Sequence, residues 1–442
     1  MSNVRFLRWF LQVDPPIALR PESEVAAEVA RNYRWNFSVS VLDFSFFWMG
    51  ATFASAATIL PLFVSKLTTS PWAIGLVAVI AQGGWYLPQL LTANAVERLP
   101  RKKPVVVNLG LFSERLPFLL LVVAALVAGD APGVALVVFL VGWAWHNLGA
   151  GVIAPAWQDL VAKCFPVDRR GRFLGTASFI GSGAGAVGAV LSTWILQTLP
   201  FPSSFVWVFG IAASMILLSW TFLALVREPE QAVTAPRQST ANYFGALPDL
   251  LRGDSNFRRF LVARVLLAAG NLGSGFLAVA AVQQWQVTDA TVGLYTGAML
   301  VGQTGATLFF GLLADRLGHM VSLKLGGVAF CLAFALAWLA PWADAFVIVF
   351  VLLGIGGAAV LVSGILVVME FAAPDRRPTY VGITNTCVGA VGGLAPLLGA
   401  ALASVSYGLV FSVSLAGCLA GVIIMVRFVR EPRGLALSVG DL

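Results

Sequence analysis

Five ionisable side chains interrupt the long apolar stretches of this chain: Asp43, Glu114, Arg115, His146 and Arg264. Groups of this kind are costly in hydrocarbon and mark ion pairs, proton relays or ligand contacts. A carboxylate or imidazole shielded from water can take up and release a proton. An arginine can hold an anionic group or neutralise a buried acid. Glu114 and Arg115 are neighbours, so on an α-helix they leave about 100° apart and are expected to find different partners. Glu114 would meet Arg264 or another buried donor, and Arg115 would meet Asp43. Asn271, Gln303 and Asn385 add polar groups at comparable depth, and Trp145, with Trp85, Tyr86 and Trp143, could stack on a ring. Two acids against two arginines leave little net charge among these groups, which suits a moderately polar or amphipathic organic solute.

These residues need elements that hold them at depth. Apolar residues make up 59% of the 442 and charged residues 11%, against about 25% charged in soluble domains. The bilayer must therefore be the solvent for most of the surface, in an all-α integral membrane protein. Twelve runs are long enough to span: 38–64, 72–94, 104–127, 132–158, 173–197 and 204–226, then 257–283, 291–314, 321–341, 344–370, 380–404 and 407–427. A cytoplasmic N-terminal segment with an amphipathic helix (1–36) precedes a six-helix bundle (37–226). A cytoplasmic linker (227–256), a second bundle (257–428) and a cytoplasmic tail (429–442) follow. Apart from Arg115, Arg264 and Lys66, every Lys and Arg falls on the side shared by both termini. By the positive-inside rule that side is the cytoplasm.

Repetition sharpens the division. Gly311-Leu312-Leu313-Ala314-Asp315-Arg316-Leu317-Gly318 lies between two spans, and Ala93-Asn94-Ala95-Val96-Glu97-Arg98-Leu99-Pro100 occupies the matching place earlier. Asp168-Arg169-Arg170 with Gly175 is matched by Asp375-Arg376-Arg377 with Gly382. Both halves therefore run in the same direction, as two parallel six-helix repeats. Asp159 and Glu370, at span ends beside these arginines, are expected to pair with Arg169, Arg170, Arg376 or Arg377.

On these residues the chain resembles the major facilitator superfamily over nearly its whole length. The family pattern G-x-x-x-D-R-x-G is met by Gly311, Asp315, Arg316 and Gly318. In the first half Ala93, Glu97 and Pro100 depart from it, while Arg98 and the basic tail Arg101-Lys102-Lys103 remain. The resemblance implies a secondary active transporter working by alternating access, with Asp315, Arg316, Glu97 and Arg98 in a gating latch. It implies that spans one, four, seven and ten line a cavity, favouring Asp43, His146 and Arg264 over the span-three pair. It also implies a small-molecule substrate, protons or another coupling ion, a bacterial inner (plasma) membrane with lipid around it, and a monomer. Efflux is slightly favoured over uptake. An alternative is a non-transporting assembly factor or lipid- or pigment-handling protein on the same fold.

Other chemistry finds no support in the sequence. Cys164, Cys331, Cys387 and Cys418 form no CxxC or Cys/His spacing, so no metal or cofactor is expected. Walker A, G-x-S-x-G and HExxH patterns are missing, which argues against ATP drive and enzymatic hydrolysis. Nucleic acid is not an expected partner.

Overall fold

In lipid, backbone groups must be satisfied within each segment, so apolar runs of this length fold as helices. The computed structural model describes residues 2–13, 17–56, 59–68, 70–232, 240–287, 289–340 and 342–432, and no strand occurs among them. Residues 233–239 of the expected linker and 433–442 of the expected tail lie outside the described residues.

A short helix, α1 (Ser2–Phe10), comes first. It is followed by α2 (Glu22–Phe53), which opens with Glu22 and Glu24 in its first turn, where acids favour the helix dipole. With no glycine or proline before Gly50, α2 runs unbroken through position 36, where the sequence suggested a boundary. Span one leaves the helix at Ala54 and resumes as α3 (Ile59–Leu67). Span two is likewise divided, into α4 (Pro71–Tyr86) and α5 (Pro88–Glu97), because Pro88 cannot donate to the preceding turn.

Span three winds as π-helix over Val105–Leu109 and Leu111–Arg115, then 3₁₀ over Leu116–Phe118, before α6 (Leu119–Val127). Next come α7 (Pro132–Cys164), α8 (Arg170–Thr198) and α9 (Ser203–Ala224). A linker helix, α10 (Thr240–Gly253), leads to α11 (Ser255–Gly270). Here Gly270 precedes a 3₁₀ segment (Asn271–Phe276) that contains Gly273 and Gly275, so span seven continues as α12 (Leu277–Trp285). The remaining helices are α13 (Asp289–Leu317), α14 (His319–Leu339), α15 (Ala345–Phe371), α16 (Arg377–Ala403) and α17 (Tyr407–Arg427).

Among the described residues nine helices are long and apolar enough to cross a membrane. The other three expected spans, one, two and seven, are the interrupted ones, which is consistent with twelve crossings. The chain divides into two units, residues 1–167 with 177–236, and 168–176 with 237–442. The segment 168–176 thus leaves the sequence boundary behind and packs with the second half. Within the first unit α2 packs on α9, α4 on α7, and α6 on both α7 and α9. Within the second, α11 packs on α17, α13 on α15, and α14 on both α15 and α17. That is the same pairing scheme twice, as a tandem duplication requires. Glycines set the closest of these approaches: a side chain at Gly151 would strike the Gly84 carbonyl, and one at Gly354 the Met299 carbonyl.

The core of the first unit is aromatic, with Phe53, Phe63, Phe118, Phe139 and Phe209 fully buried. Phe63 meets Phe205 and Phe209 at ring separations of 5.1 Å. Lipid tails are as apolar as these rings, so close packing rather than escape from water holds them together.

Candidate functional site

Four of the five in-span ionisable residues are brought together in the first unit. Asp43 is buried on α2 and accepts a hydrogen bond from Ser219 Oγ on α9 at 2.6 Å. Arg115, at the end of the second π segment, lays its guanidinium over the Phe47 ring, one turn along α2, with 4.9 Å to the centroid. The charges bearing on Asp43 are those of Arg115 and Glu114. Arg115 Nε lies 3.4 Å from Glu114 Oε2, so the two neighbours do face each other. Arg115 also acts on Asp43 as expected, but this contact corrects the expectation that the two neighbours would not face each other. The argument for it assumed α-helical winding, whereas the wider π turn changes the angle between successive side chains.

His146 joins the group from α7. Its Nδ1 lies 2.8 Å from the Glu114 carbonyl oxygen, a backbone acceptor released by the irregular winding. Trp143 stacks on the imidazole at 5.5 Å and Phe118 meets it edge-on at 5.0 Å. Glu114 Oε2 and Arg115 Nε and Nη1 are buried and lack a hydrogen-bond partner among the described residues. Buried polar atoms left this way are costly and occur where a group must change partners or protonation. The arrangement supplies two carboxylates, one guanidinium and one imidazole within a buried bundle interior.

Other expected residues stand apart from this cluster. Trp145 is exposed, one residue away from buried His146. Asn147 bonds back to the Trp143 carbonyl. In the second unit Arg264 is buried on α11, against the backbone of Gly364 on α15. Asn271 begins the 3₁₀ break in span seven, and its Oδ1 is buried without a hydrogen-bond partner among the described residues. Gln303 on α13 and Asn385 on α16 are half-buried.

The motif loop has a defined geometry. Asp315 accepts hydrogen bonds from the backbone N–H groups of Gly171 and Arg172, each at 2.7 Å. These are the unpaired donors of the first turn of α8, where a carboxylate is favoured. The two backbones come this close because residues 171, 175 and 311 are glycine; a side chain at Gly175 would meet Gly311 Cα at 2.9 Å. In the first half Arg98 bonds Asn94 on its own helix. Glu97 and Arg316 flank these groups on α5 and α13.

Sequence reasoning missed a second set of residues at the basic end of both units. Glu228 accepts from the backbone N–H groups of Lys102 and Lys103 at 2.8 Å each, and from Lys163 Nζ at 2.6 Å. It therefore caps the start of span three. Glu431 stands equivalently against Gly318 at the start of α14, whose φ of +92° suits glycine. Two asparagines clasp the chain just before these acids. Asn36 both donates to and accepts from the backbone of Arg227 at 2.9 Å. Asn256 does the same with Arg430 at 3.1 and 2.9 Å. The signal was present: Val226-Arg227-Glu228-Pro229 recurs as Val429-Arg430-Glu431-Pro432.

Asp159 does not follow the expected pairing with arginine. Its carboxylate lies 3.5 Å from Lys102 Nζ, because the Glu228 cap draws the loop over the end of α7. Burial pushes the Lys102 amine below its usual range, with Asp159 opposing the shift, and Lys103 is lowered by burial in the same way. His319, buried at the start of α14, meets Ser363 Oγ at 3.1 Å and was also overlooked.

Comparison with known proteins places this geometry. The sequence profile described as the Major Facilitator Superfamily matches residues 42–284 and 260–439. A stretch of 125 residues is 34% identical to the multidrug efflux pump LfrA of Mycolicibacterium smegmatis. It covers 28% of this chain and 25% of that pump, so the chain spans about a quarter of the length of the curated relative it matches. A bacterial homologue of the iron transporter ferroportin, in an outward-facing state, superposes with a TM-score of 0.72 at 15% identity, over 88% of this chain and 98% of that one. The human organic anion transporter MFSD10 gives 0.66 at 16% identity, over 89% and 99%. The E. coli fucose:proton symporter FucP gives 0.67 at 16%, over 88% and 98%. At these identities the likeness is one of fold.

Proposed function

Because the chain belongs to the Major Facilitator Superfamily and is a multi-span membrane transporter rather than an enzyme, we propose that it is a secondary active transporter coupled to protons. Its cargo is a small, moderately polar or amphipathic organic solute, moved across the bacterial plasma membrane by alternating access. The observation that carries this reading is the buried group of Asp43, Glu114, Arg115 and His146. Proton uptake by either carboxylate neutralises one member of the group and leaves Arg115 to seek another partner. A change of partners deep in one bundle is the kind of event that biases a two-state equilibrium. Efflux is the favoured direction, supported by the local likeness to a multidrug efflux pump and by the aromatic side chains Trp85, Tyr86 and Trp145.

Asp315 acts in this scheme as a latch on the first turn of α8, a helix whose remainder belongs to the first unit. The working form is a monomer with both termini in the cytoplasm.

Reconstitution in liposomes tests the proposal. Addition of a transported solute drives proton movement in the native protein, and Asp43→Asn abolishes it while leaving the fold intact. Solute flux that is indifferent to a pH gradient would sink proton coupling, and normal coupling in Asp43→Asn would remove Asp43 from the site. No flux with any of a broad panel of sugars, organic anions and lipophilic cations would favour the non-transporting alternative. For the latch, Asp315→Asn is expected to raise cysteine labelling at the cytoplasmic mouth and lower it at the outer mouth. Unchanged labelling at both mouths refutes that role.

A further inference from the structure

Away from the buried charges, a cavity of about 940 Å³ opens between α1 and the basic ends of spans three and six. Arg5, Phe6, Arg8 and Trp9 of α1 line it on one side, and Phe112 and Trp220 on the other. Its walls are fixed by specific bonds. Asn108 Nδ2 donates to the Phe10 carbonyl at 2.7 Å, tying the end of α1 to span three. The rings of Phe10 and Phe112 stand 6.1 Å apart. Trp220 Nε1 donates to the Val107 carbonyl at 2.9 Å, so the indole edge is satisfied and its face is left for an apolar neighbour.

The composition of the lining identifies what fits. Among the described residues it contains two arginines and no acid. Phe6 is 58% exposed and Trp9 72%, although both are large and apolar, so this helix is built to contact something other than water. Asn108 and Phe112 lie in the first turns of a span that begins at Val105, next to Lys102 and Lys103. The cavity therefore straddles the level where headgroups meet acyl chains, with its arginines on the headgroup side and exposed Phe112 toward the hydrocarbon.

We infer that this cavity is a binding site for an anionic phospholipid. The phosphate rests between Arg5 and Arg8, and the acyl chains run along Phe112 and Trp220. A zwitterionic lipid brings an ammonium group that no carboxylate among the described lining residues receives, so it binds more weakly. The lipid fastens α1 to the membrane surface and to spans three and six of the first unit. This role is independent of which solute is transported.

The experiment uses the full-length protein in a neutral detergent, titrated with phosphatidylglycerol, with phosphatidylcholine of the same acyl chains, or with inorganic phosphate. Native mass spectrometry reads retained lipid and thermal unfolding reads its effect. Phosphatidylglycerol is expected to be retained and to raise the unfolding temperature, while phosphatidylcholine and inorganic phosphate do neither. The exposed pair Arg5→Gln/Arg8→Gln weakens phosphatidylglycerol binding by roughly 30-fold, the effect of two basic side chains at an anionic surface. Arg5→Lys/Arg8→Lys retains most of it, and Phe112→Ala weakens it with both arginines in place. Equal retention of phosphatidylcholine, undiminished phosphatidylglycerol binding in the glutamine pair, or a matching shift with inorganic phosphate would each overturn the inference.

Discussion

Counted from the asparagine clasps, the two six-span halves carry the same scaffold and opposite chemistry. Seven residues after Asn36 stands Asp43, and seven after Asn256 stands Ala263. Eight residues before Arg227 stands Ser219, and eight before Arg430 stands Val422. The first pair forms a buried hydrogen bond between α2 and α9. The second pair is buried and apolar, between α11 and α17, the helices that correspond. A duplicated bundle does not need an acid–hydroxyl pair at this place to fold, since its twin has alanine and valine there. The acid at position 43 is thus not a requirement of the shared scaffold, as its proposed coupling role expects.

That contrast can be broken most directly at Arg115. Replacing it with glutamine leaves two carboxylates buried beside each other without their cation. Removal of one member of a buried ionic group costs about 3–5 kcal/mol. Arg115→Gln is therefore expected to lower the unfolding temperature more than any other single change discussed. Adding Asp43→Asn should restore at least half of the loss, because it removes one uncompensated charge. A strictly additive double variant would mean that the two side chains do not act as a unit.

A smaller effect separates the two motif loops. Gly318 has φ +92°, and a methyl group there would meet the Glu431 carboxylate at 2.7 Å. Gly318→Ala is expected to cost about 1–3 kcal/mol through backbone strain and displacement of the acid. Pro100 holds the corresponding place in the first half, with its carbonyl taken by Lys163 Nζ at 3.1 Å. Pro100→Ala keeps that acceptor and should cost less than about 1 kcal/mol. Comparable losses in the two variants would show that the loops are held in the same way after all.

Much of this architecture was legible in the sequence because lipid leaves the backbone few choices. Spans, their repetition and the motif loop all follow from residue type and spacing. The site was legible in its membership and obscure in its geometry. Asp43, Glu114, Arg115 and His146 announce themselves as charges in apolar runs, yet their pairing depended on π winding in span three, which no residue there dictates alone. The Asp159–Lys102 contact depended in turn on Glu228, whose role is visible only when the ends of spans six and twelve are aligned. Ser219 was invisible, because a serine in a membrane helix more often bonds its own backbone.

The least disruptive test concerns what the halves share. Asn36 and Asn256 each exchange two hydrogen bonds with the backbone that follows the last span of their own half. Alanine removes both, and water can reach part of each site, so a loss of about 1–2 kcal/mol per clasp is expected. Equality is the point of the comparison. If the clasp belongs to the ancestral scaffold, Asn36→Ala and Asn256→Ala should lower the unfolding temperature alike and leave the pH dependence of transport unchanged. A change of pH dependence confined to Asn36→Ala would mean that the clasp also holds α2 in register for Asp43, and the first half would then have recruited its scaffold into its chemistry.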